Sequence, residues 1–369
     1  MIETVERIEK LNIDKFSWTL TRLGDLATEI SKRVDNPSES EYDRFVGLGN
    51  FVSGDIKIKT WEPTDNLASS AKAFKTGDIL FARRNAYLRR ASLVDFDGCC
   101  SGDAFVLREN HYKVVPGFLA FLLNSNALWD YANSNAAGTM SKRVKWRDLA
   151  EYQFLLPPKD QQAKLAKLLW AMDEVIEREL EVLEKILVTN QSLFKSFRSK
   201  ENNWKKFKIG DLMHFNYGKS LKESDRIEGQ YSVITSSGYQ GSHSEFLTKG
   251  PGIVVGRKGN VGQVTWVDNN FWTTDTAYYI DVKEEFLSIP LKFFYYLLKA
   301  SNLVKHSIAT AVPGLNRDDA LMTKVYLPDG NELIQYLEKF QNIDNMIVEV
   351  ESKITSSKAL QKSLINQVF

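Results

Sequence analysis

The sequence predicts an α+β protein: two α/β modules separated by two long helices that pair as an antiparallel coiled coil, the whole forming an internal pseudo-two-fold repeat. Three observations carry this expectation. A tryptophan-led segment occurs twice, two stretches of about 40 residues each keep a helical apolar period, and short strand and turn signals fall at matching places between them.

The duplication sets the frame. Trp18-Thr-Leu-Thr-Arg-Leu-Gly24-Asp25-Leu26 returns as Trp204-Lys-Lys-Phe-Lys-Ile-Gly210-Asp211-Leu212, an offset of 186 from residue 18 to residue 204. Leu156-Pro157 returns as Leu327-Pro328 at an offset of 171, and Asp173, Ile176, Ser192 and Leu193 return as Asp344, Ile347, Ser363 and Leu364 at that same 171. An ungapped register over some 40 residues fits a continuous helix, where one inserted residue would rotate the buried face. The shrinking offset makes the second module shorter than the first by about 15 residues. The predicted order is a first module over 1–155 (1–17 a short helical start), a helix over 156–198, a second module over 199–326 and a helix over 327–369.

Each long helix begins just after a Leu-Pro, where proline costs no helical hydrogen bond. In the first, Leu169, Met172, Ile176, Leu180, Leu183, Ile186 or Leu187, Phe194 and Phe197 recur at three- and four-residue steps; in the second, Leu333, Leu337, Phe340, Ile347, Val350, Ile354 and Leu364 do the same. Such spacing with Glu and Lys on the flanks is close to a coiled-coil seam. A helix of that length spans ~60 Å, too long for an ordinary domain core. Matched lengths favour mutual pairing, and antiparallel pairing places the modules at opposite ends; the alternative is two independent helices, each packed on its own module.

Within the modules, Phe105-Val-Leu, Ile253-Val-Val and Tyr278-Tyr-Ile-Asp-Val read as strands. Leu119-Ala-Phe-Leu-Leu and Leu291-Lys-Phe-Phe-Tyr-Tyr-Leu-Leu read as helices at equivalent places, and seven glycines between 238 and 262 mark tight turns. Val5, Ile8 and Leu11 predict a short helix at the start of the chain.

Composition narrows the function classes. No run of about 18 apolar residues occurs, so no membrane span is expected, and the acid-bearing N-terminus does not read as a secretory signal. Cys99 and Cys100 are adjacent and cannot staple distant segments; this suits a reducing, cytoplasmic setting. The four histidines, at 111, 214, 243 and 306, lack metal-ligand spacing, so no metal site is expected. Gly218-Lys219-Ser220 matches the end of a phosphate-binding loop, but Met213 stands where the first glycine must be. No catalytic constellation emerges. A net charge of +1 argues against a generic nucleic-acid binder, although the acids concentrate in the helices and the basic clusters fall in the modules.

Taken in order, these features resemble the specificity (S) subunits of type I restriction–modification enzymes. The residues that carry the likeness are the Trp-x5-Gly-Asp-Leu at each module start, Gly77-Asp-Ile-Leu-Phe-Ala-Arg83 and Gly256-Arg-Lys-Gly-Asn-Val-Gly262. The strongest is Leu155-Leu-Pro-Pro-Lys-Asp-Gln161-Gln162, followed by the helix with Asp173 to Ile176. Pro328-Asp-Gly-Asn-Glu departs from that pattern in the second copy. The resemblance implies two target recognition domains, each reading half of a split site in double-stranded DNA, and helices that dock two methyltransferase (M) subunits, with restriction (R) subunits joining. It implies that S-adenosylmethionine and ATP serve those partners, with no cofactor in this chain. A methyltransferase of this class needs an Asn/Asp-Pro-Pro-aromatic element; the lone Pro157-Pro158 lies between Leu156 and Lys159.

DNA reading needs cations for phosphates and donors or acceptors for base edges. Arg83-Arg84 and Arg257-Lys258 stand at matched positions just after a predicted strand, where arginine can bridge guanine O6 and N7 or hold phosphate; a solvated basic turn is the plain alternative. A second pair of candidate loops precedes each Leu-Pro: Gly138 to Lys145, with Lys142, Arg143 and Lys145, and Thr310 to Arg317, with Asn316 and Arg317. Arg89, Arg90, Lys219 and Lys222 are candidate phosphate contacts, and Tyr87 and Tyr239 candidate base contacts. Asp103 and Asp275, at matching places, read as structural or turn-forming. Two other readings stay open: a coiled-coil adaptor that binds proteins, and the recognition subunit of a two-subunit, type IIB-like enzyme.

Overall fold

The computed structural model describes residues 13–199, 204–308 and 313–369. The helix expected around Val5, Ile8 and Leu11, and residues 310–312 of the second candidate loop, lie outside the described residues. The chain divides into two compact units, Met1–Glu181 with Glu351–Phe369, and Val182–Val350. Each contains a module together with a segment of both long helices, Lys159–Ser199 and Gly330–Val368.

In the first unit the central element is Ile79–Ala82, buried at all four positions as its unbroken apolar run requires. It is the third strand of an antiparallel sheet ordered Ala27–Glu29, Ala104–Glu109, Ile79–Ala82, Ala91–Leu93. Leu119–Leu122 and Asn126–Ser134 supply helical cover, with the Trp129 ring stacked on Phe81 at 4.5 Å between centroids. A second sheet of five very short strands contains Ala71–Phe74 and Gly98–Cys100.

The second unit repeats the plan: Met213–Tyr217, Ala277–Val282, Gly252–Gly256 and Val264–Val267 form an antiparallel sheet in the same order. Its second sheet has only three strands, Gly238–His243, Tyr231–Thr235 and Phe271–Thr273. The difference in length falls here: the chain runs from residue 29 to 79 between equivalent strands of the first unit, but only from 217 to 252 in the second.

The repeated tryptophan segment has one mechanical purpose in both copies. Thr19–Arg22 pairs antiparallel with Gln153–Leu156, and Lys205–Lys208 with Lys324–Leu327, so each module closes its ends on one another just before its long helix. The tryptophan then reaches the first turn of that helix: Trp18 Nε1 donates to Gln161 Oε1 and Trp204 Nε1 to Glu332 Oε2, each at 2.8 Å. The glycine of Gly-Asp-Leu lets the chain press on the short helix ahead of the closing strand. A Cβ at Gly24 would stand 3.0 Å from Ala150 Cβ, and one at Gly210 3.3 Å from Leu321 Cβ.

Gln162 explains the departure seen in the second copy. Only 1% exposed, it accepts from Val115 N at 2.9 Å and donates to Pro157 O at 2.8 Å, tying the helix start to the loop beneath it. At the 171-residue offset its place is taken by Leu333, 5% exposed in the apolar core. Glu332 meanwhile keeps the role of Gln161, and Asp329 caps the helix by accepting from Glu332 N at 3.0 Å.

The long helices pair antiparallel within each unit. In the first, Gln361 Nε2 donates to Asp173 and Ser357 Oγ to Glu179, so rising numbers on one helix meet falling numbers on the other. In the second, Phe194 packs on Phe340 at 4.6 Å and Phe197 on Tyr336 at 5.1 Å. Of the two candidates at one seam position, Ile186 is buried and Leu187 is 43% exposed. The repeated aspartates bind helix to module: Asp173 pairs with Lys57 at 3.4 Å, and Asp344 accepts from the Tyr296 hydroxyl at 2.7 Å. Burial pushes the Asp173 carboxyl up despite Lys57. No described helix is long and apolar enough to cross a membrane.

Gln162→Ala should destabilise the first unit by about 1–3 kcal/mol, because it strands the buried Pro157 carbonyl and the part-buried Val115 N–H. Denaturant melts of the full chain check this, and an unchanged midpoint would refute the clamp.

Candidate nucleic-acid interface

The two candidate loops of the first module are brought together at one end of its central sheet. Ala82 ends its strand opposite Ala104, the first residue of the neighbouring strand. The loop from 137 to 144 lies against that end: Val144 N donates to Arg83 O at 2.9 Å and Asn85 N to Lys142 O at 2.9 Å. Asp103 stands at the junction. Its carboxylate takes Arg143 by Nε at 2.8 Å and Nη2 at 3.3 Å, and Arg84 Nη1 at 3.5 Å. Arg84 Nε donates to Ser141 Oγ at 2.7 Å. The hydrogen bonds from Arg143 and the flanking positive charge hold the Asp103 carboxyl below its ordinary range. Arg83 lies over the Phe105 ring at 5.5 Å, while Lys142 and Lys145 are exposed at the rim.

The second unit builds a comparable group at the same sheet end. Leu315 N donates to Arg257 O at 2.7 Å, as Val144 does to Arg83. Lys258 bridges Gly314 as Arg84 bridges Arg143, and Lys258 Nζ lies 3.5 Å from the Asp275 carboxylate. Arg257 Nη1 donates to Asp275 O at 2.9 Å. Here tyrosines organise the cations: Arg257 stands over Tyr217 at 4.9 Å and Tyr278 at 6.0 Å, and Arg317 over Tyr217 at 5.6 Å. Arg317 Nε also donates to Phe215 O at 2.9 Å.

Strand register refines the matching of these loops. Ala104 and Ala277 are equivalent, since they face Ala82 and Gly256. Arg143 is therefore matched by Gly314, and Lys145 by Asn316, each standing just before a short helix. Asn316 accepts from Asp318 N and Asp319 N, so its side chain serves as a helix cap. Arg317 corresponds to Trp146 and enters the group from a position that has no cation in the first module.

The remaining candidates are placed differently. Arg89, at a left-handed φ of 49°, is held by Asn126 and Asp130 at 2.7 and 2.8 Å. It lines a cavity with Lys358 and Lys362 of the second long helix. Arg90 donates to Leu48 O at 2.8 Å, and burial lowers its pKa. Lys219 is exposed and its backbone is fixed to Thr273 O at 2.9 Å. A Cβ at the preceding Gly218 would lie 2.2 Å from Thr274 O, so that glycine serves close backbone approach. Lys222 is exposed just before a single short turn. Tyr87 and Tyr239 are both about two-thirds exposed.

Tyr217 and the central place of the two aspartates are the features that sequence reasoning did not assign. Tyr217 lies four residues past Met213, the end of Gly-Asp-Leu-Met, with no arginine near it in the chain. Its arginine neighbours arrive 40 and 100 residues later.

Burial pushes the thiols of Cys99 and Cys100 up to about 11 and about 12, so neither is a ready nucleophile. Among the described residues no group of three or more His, Cys, Asp or Glu could hold a metal ion. His306 Nε2 is paired with Thr323 Oγ1 and His243 Nδ1 with Ile227 N.

Comparison with known proteins matches both repeats. The family model for the type I restriction modification DNA specificity domain fits residues 17–187 and again residues 201–357. The type I restriction enzyme EcoDI specificity subunit of Escherichia coli is 26% identical over 193 residues, which is 50% of this chain and 42% of that protein. The match thus spans less than half the length of this curated relative. Among solved structures, the S subunit of a type I restriction–modification system from M. genitalium superposes with a TM-score of 0.64 at 18% identity, covering 97% of each chain. A chain solved to explain complex assembly and conformational transition of the type I R-M system gives 0.58 at 19% identity, over 95% of this chain and 97% of that one. At such identities these two likenesses speak to the fold. With one family model matching each of its two repeats, the chain belongs to the type I restriction–modification DNA specificity family.

Proposed function

We propose that this chain reads a bipartite, asymmetric site in double-stranded DNA and leaves the chemistry to partner subunits. The observation that carries the reading is the repetition of a cation group at the same sheet end in each unit, Arg83, Arg84 and Arg143 in one and Arg257, Lys258 and Arg317 in the other. Guanidinium groups with fixed planes suit base edges, while exposed Lys142, Lys145, Lys219 and Lys222 suit phosphate. The groups differ in composition, so the half-sites differ.

In this reading two methyltransferase subunits, one for each repeat, dock on the long helices, and restriction subunits join them. S-adenosylmethionine and ATP act in those partners. Leu168, Val175 and Val182 follow one another at seven-residue steps on one face of the first helix and are 45–48% exposed. A stripe of that kind fits a partner helix better than scattered exposed apolar residues do. The protein works in the cytoplasm. The same features serve the recognition subunit of a two-subunit, type IIB-like enzyme, which differs in its partner. A protein-binding adaptor is disfavoured by the repeated cation groups, which an adaptor has no use for.

Mapping methylated adenines in cells with and without the gene should show marks that vanish with it and lie within two unlike short sequences at a fixed gap; marks without such a motif would defeat the reading. In binding titrations with the mapped duplex, Arg143→Ala should cost about 1–3 kcal/mol and relax one base position. Lys142→Ala should weaken mapped and scrambled duplexes alike and flatten the salt dependence by up to about 0.9 in slope. Leu168→Glu with Val175→Glu should abolish co-purification with the methyltransferase subunit while leaving the thermal melt unchanged; intact co-purification would move the docking face elsewhere.

A further inference from the structure

In each cation group the carboxylate is the feature that DNA attraction does not explain. A surface that meets phosphate gains from every uncompensated positive charge, yet an acid sits in the middle of both. Asp103 grips Arg143 in a two-bond fork and reaches Arg84; Asp275 reaches Lys258 with its carboxylate and Arg257 with its carbonyl.

Two further facts argue against a role in holding the fold. Arg84, Arg143 and Lys258 are 40–44% exposed, and Asp275 is 44% exposed against 21% for Asp103; single ion pairs this open to water contribute little stability, the Asp103–Arg143 fork being the firmest of them. The aspartates are also not the same residue of the repeat. With Ala104 equivalent to Ala277, Asp103 answers to Thr276 and Asp275 to Gly102. The same charge arrangement is reached from positions one step apart, which inheritance of a single structural aspartate does not produce.

We propose that Asp103 and Asp275 are positioning residues for base discrimination, an inference that rests on the DNA-reading assignment above. Each carboxylate does two things. It cancels one positive charge, so the group gains less on bare phosphate. It also restrains the cations it reaches: the Asp103 fork sets the plane of Arg143, while the Asp275 carboxylate holds Lys258 alone. Asp103 and Ser141 occupy Nε and Nη2 of Arg143 and Nε and Nη1 of Arg84. Among the described residues the outer Nη1 of Arg143 and Nη2 of Arg84 have no hydrogen-bond partner, which leaves them to meet a base edge that presents acceptors in matching places.

The test uses the full-length chain purified with its methyltransferase partner, a duplex carrying the mapped site and a scrambled duplex of equal length, titrated over a salt series. Asp103→Asn and Asp275→Asn keep the shape and one acceptor but remove the charge. Each should bind the scrambled duplex more tightly, with a salt slope steeper by up to about 0.9. The mapped-to-scrambled ratio should fall about tenfold, the scale of one well-made base contact. Single-base changes across the site should show Asp103→Asn loosening one half-site and Asp275→Asn the other, and Asp103→Glu should restore much of the ratio. A variant that loses both duplexes in the same proportion, or that keeps the wild-type ratio and slope, overturns the inference. Should Asp103→Asn fail to fold by thermal melt, Asp275→Asn, at a carboxylate 44% exposed, decides the matter alone. If the unsubstituted chain shows no preference for the mapped site, the DNA reading falls and this inference with it; a preference retained there beside an unmoved ratio in the variants removes this inference only.

Discussion

Neither module completes its core without the long helices. In the first unit Leu364, Ile365 and Val368 from one helix and Ala166 and Leu169 from the other are buried in the same cluster as Trp18, Phe81 and Trp129. In the second, Phe197 from one helix and Leu333, Leu337 and Phe340 from the other lie with Trp204 and Phe293. A helix that must fill a core keeps its phase, since each added residue turns the face by about 100°. This constraint explains why the two halves share an ungapped 171-residue offset along the helices while the modules drift. It also explains why the tryptophans answer to the first turns: the module is keyed to the phase of its helix from the outset.

That constraint decides what could be read from the sequence. The helices were legible because their burial is periodic, and Leu169, Ile176 and Phe197 show it plainly. The central sheets were legible through Phe105-Val-Leu and Ile253-Val-Val, apolar runs bounded by turns. The second sheets were not: strands such as Arg33–Val34 and Glu62–Pro63 have two residues each, too few to display alternation. The blurred second Pro-Gln turn is intelligible only from the fold, because Glu332 in the place of Gln161 keeps a hydrogen bond while Leu333 in the place of Gln162 exchanges a polar clamp for apolar contact.

The candidate interface follows the same division. Matched cations after a strand were visible as Arg83-Arg84 and Arg257-Lys258, since the repeat fixes where the strand ends. Their partners were not visible, because Asp103 meets Arg143 across 40 residues and Tyr217 meets Arg317 across 100. Sequence proximity says where charge lies; only packing says which charges are cancelled. Asp103 and Asp275, which look like turn formers in the chain, turn out to lie at the centre of each group.

On the proposed function, a net charge of +1 fits a reader of sequence rather than contradicting it. A protein that holds any duplex tightly discriminates poorly, because phosphate attraction is the same for every sequence. Discrimination comes from donors held where only some base edges can use them, and holding a guanidinium in place takes an acceptor, most effectively a carboxylate. In the first unit a forked aspartate holds the guanidinium, and in the second tyrosine faces and a more open aspartate lie against the cations. The two units thus fix their cations in different ways on one sheet framework. On the proposed function, the framework that makes the two units alike also permits them to read different bases.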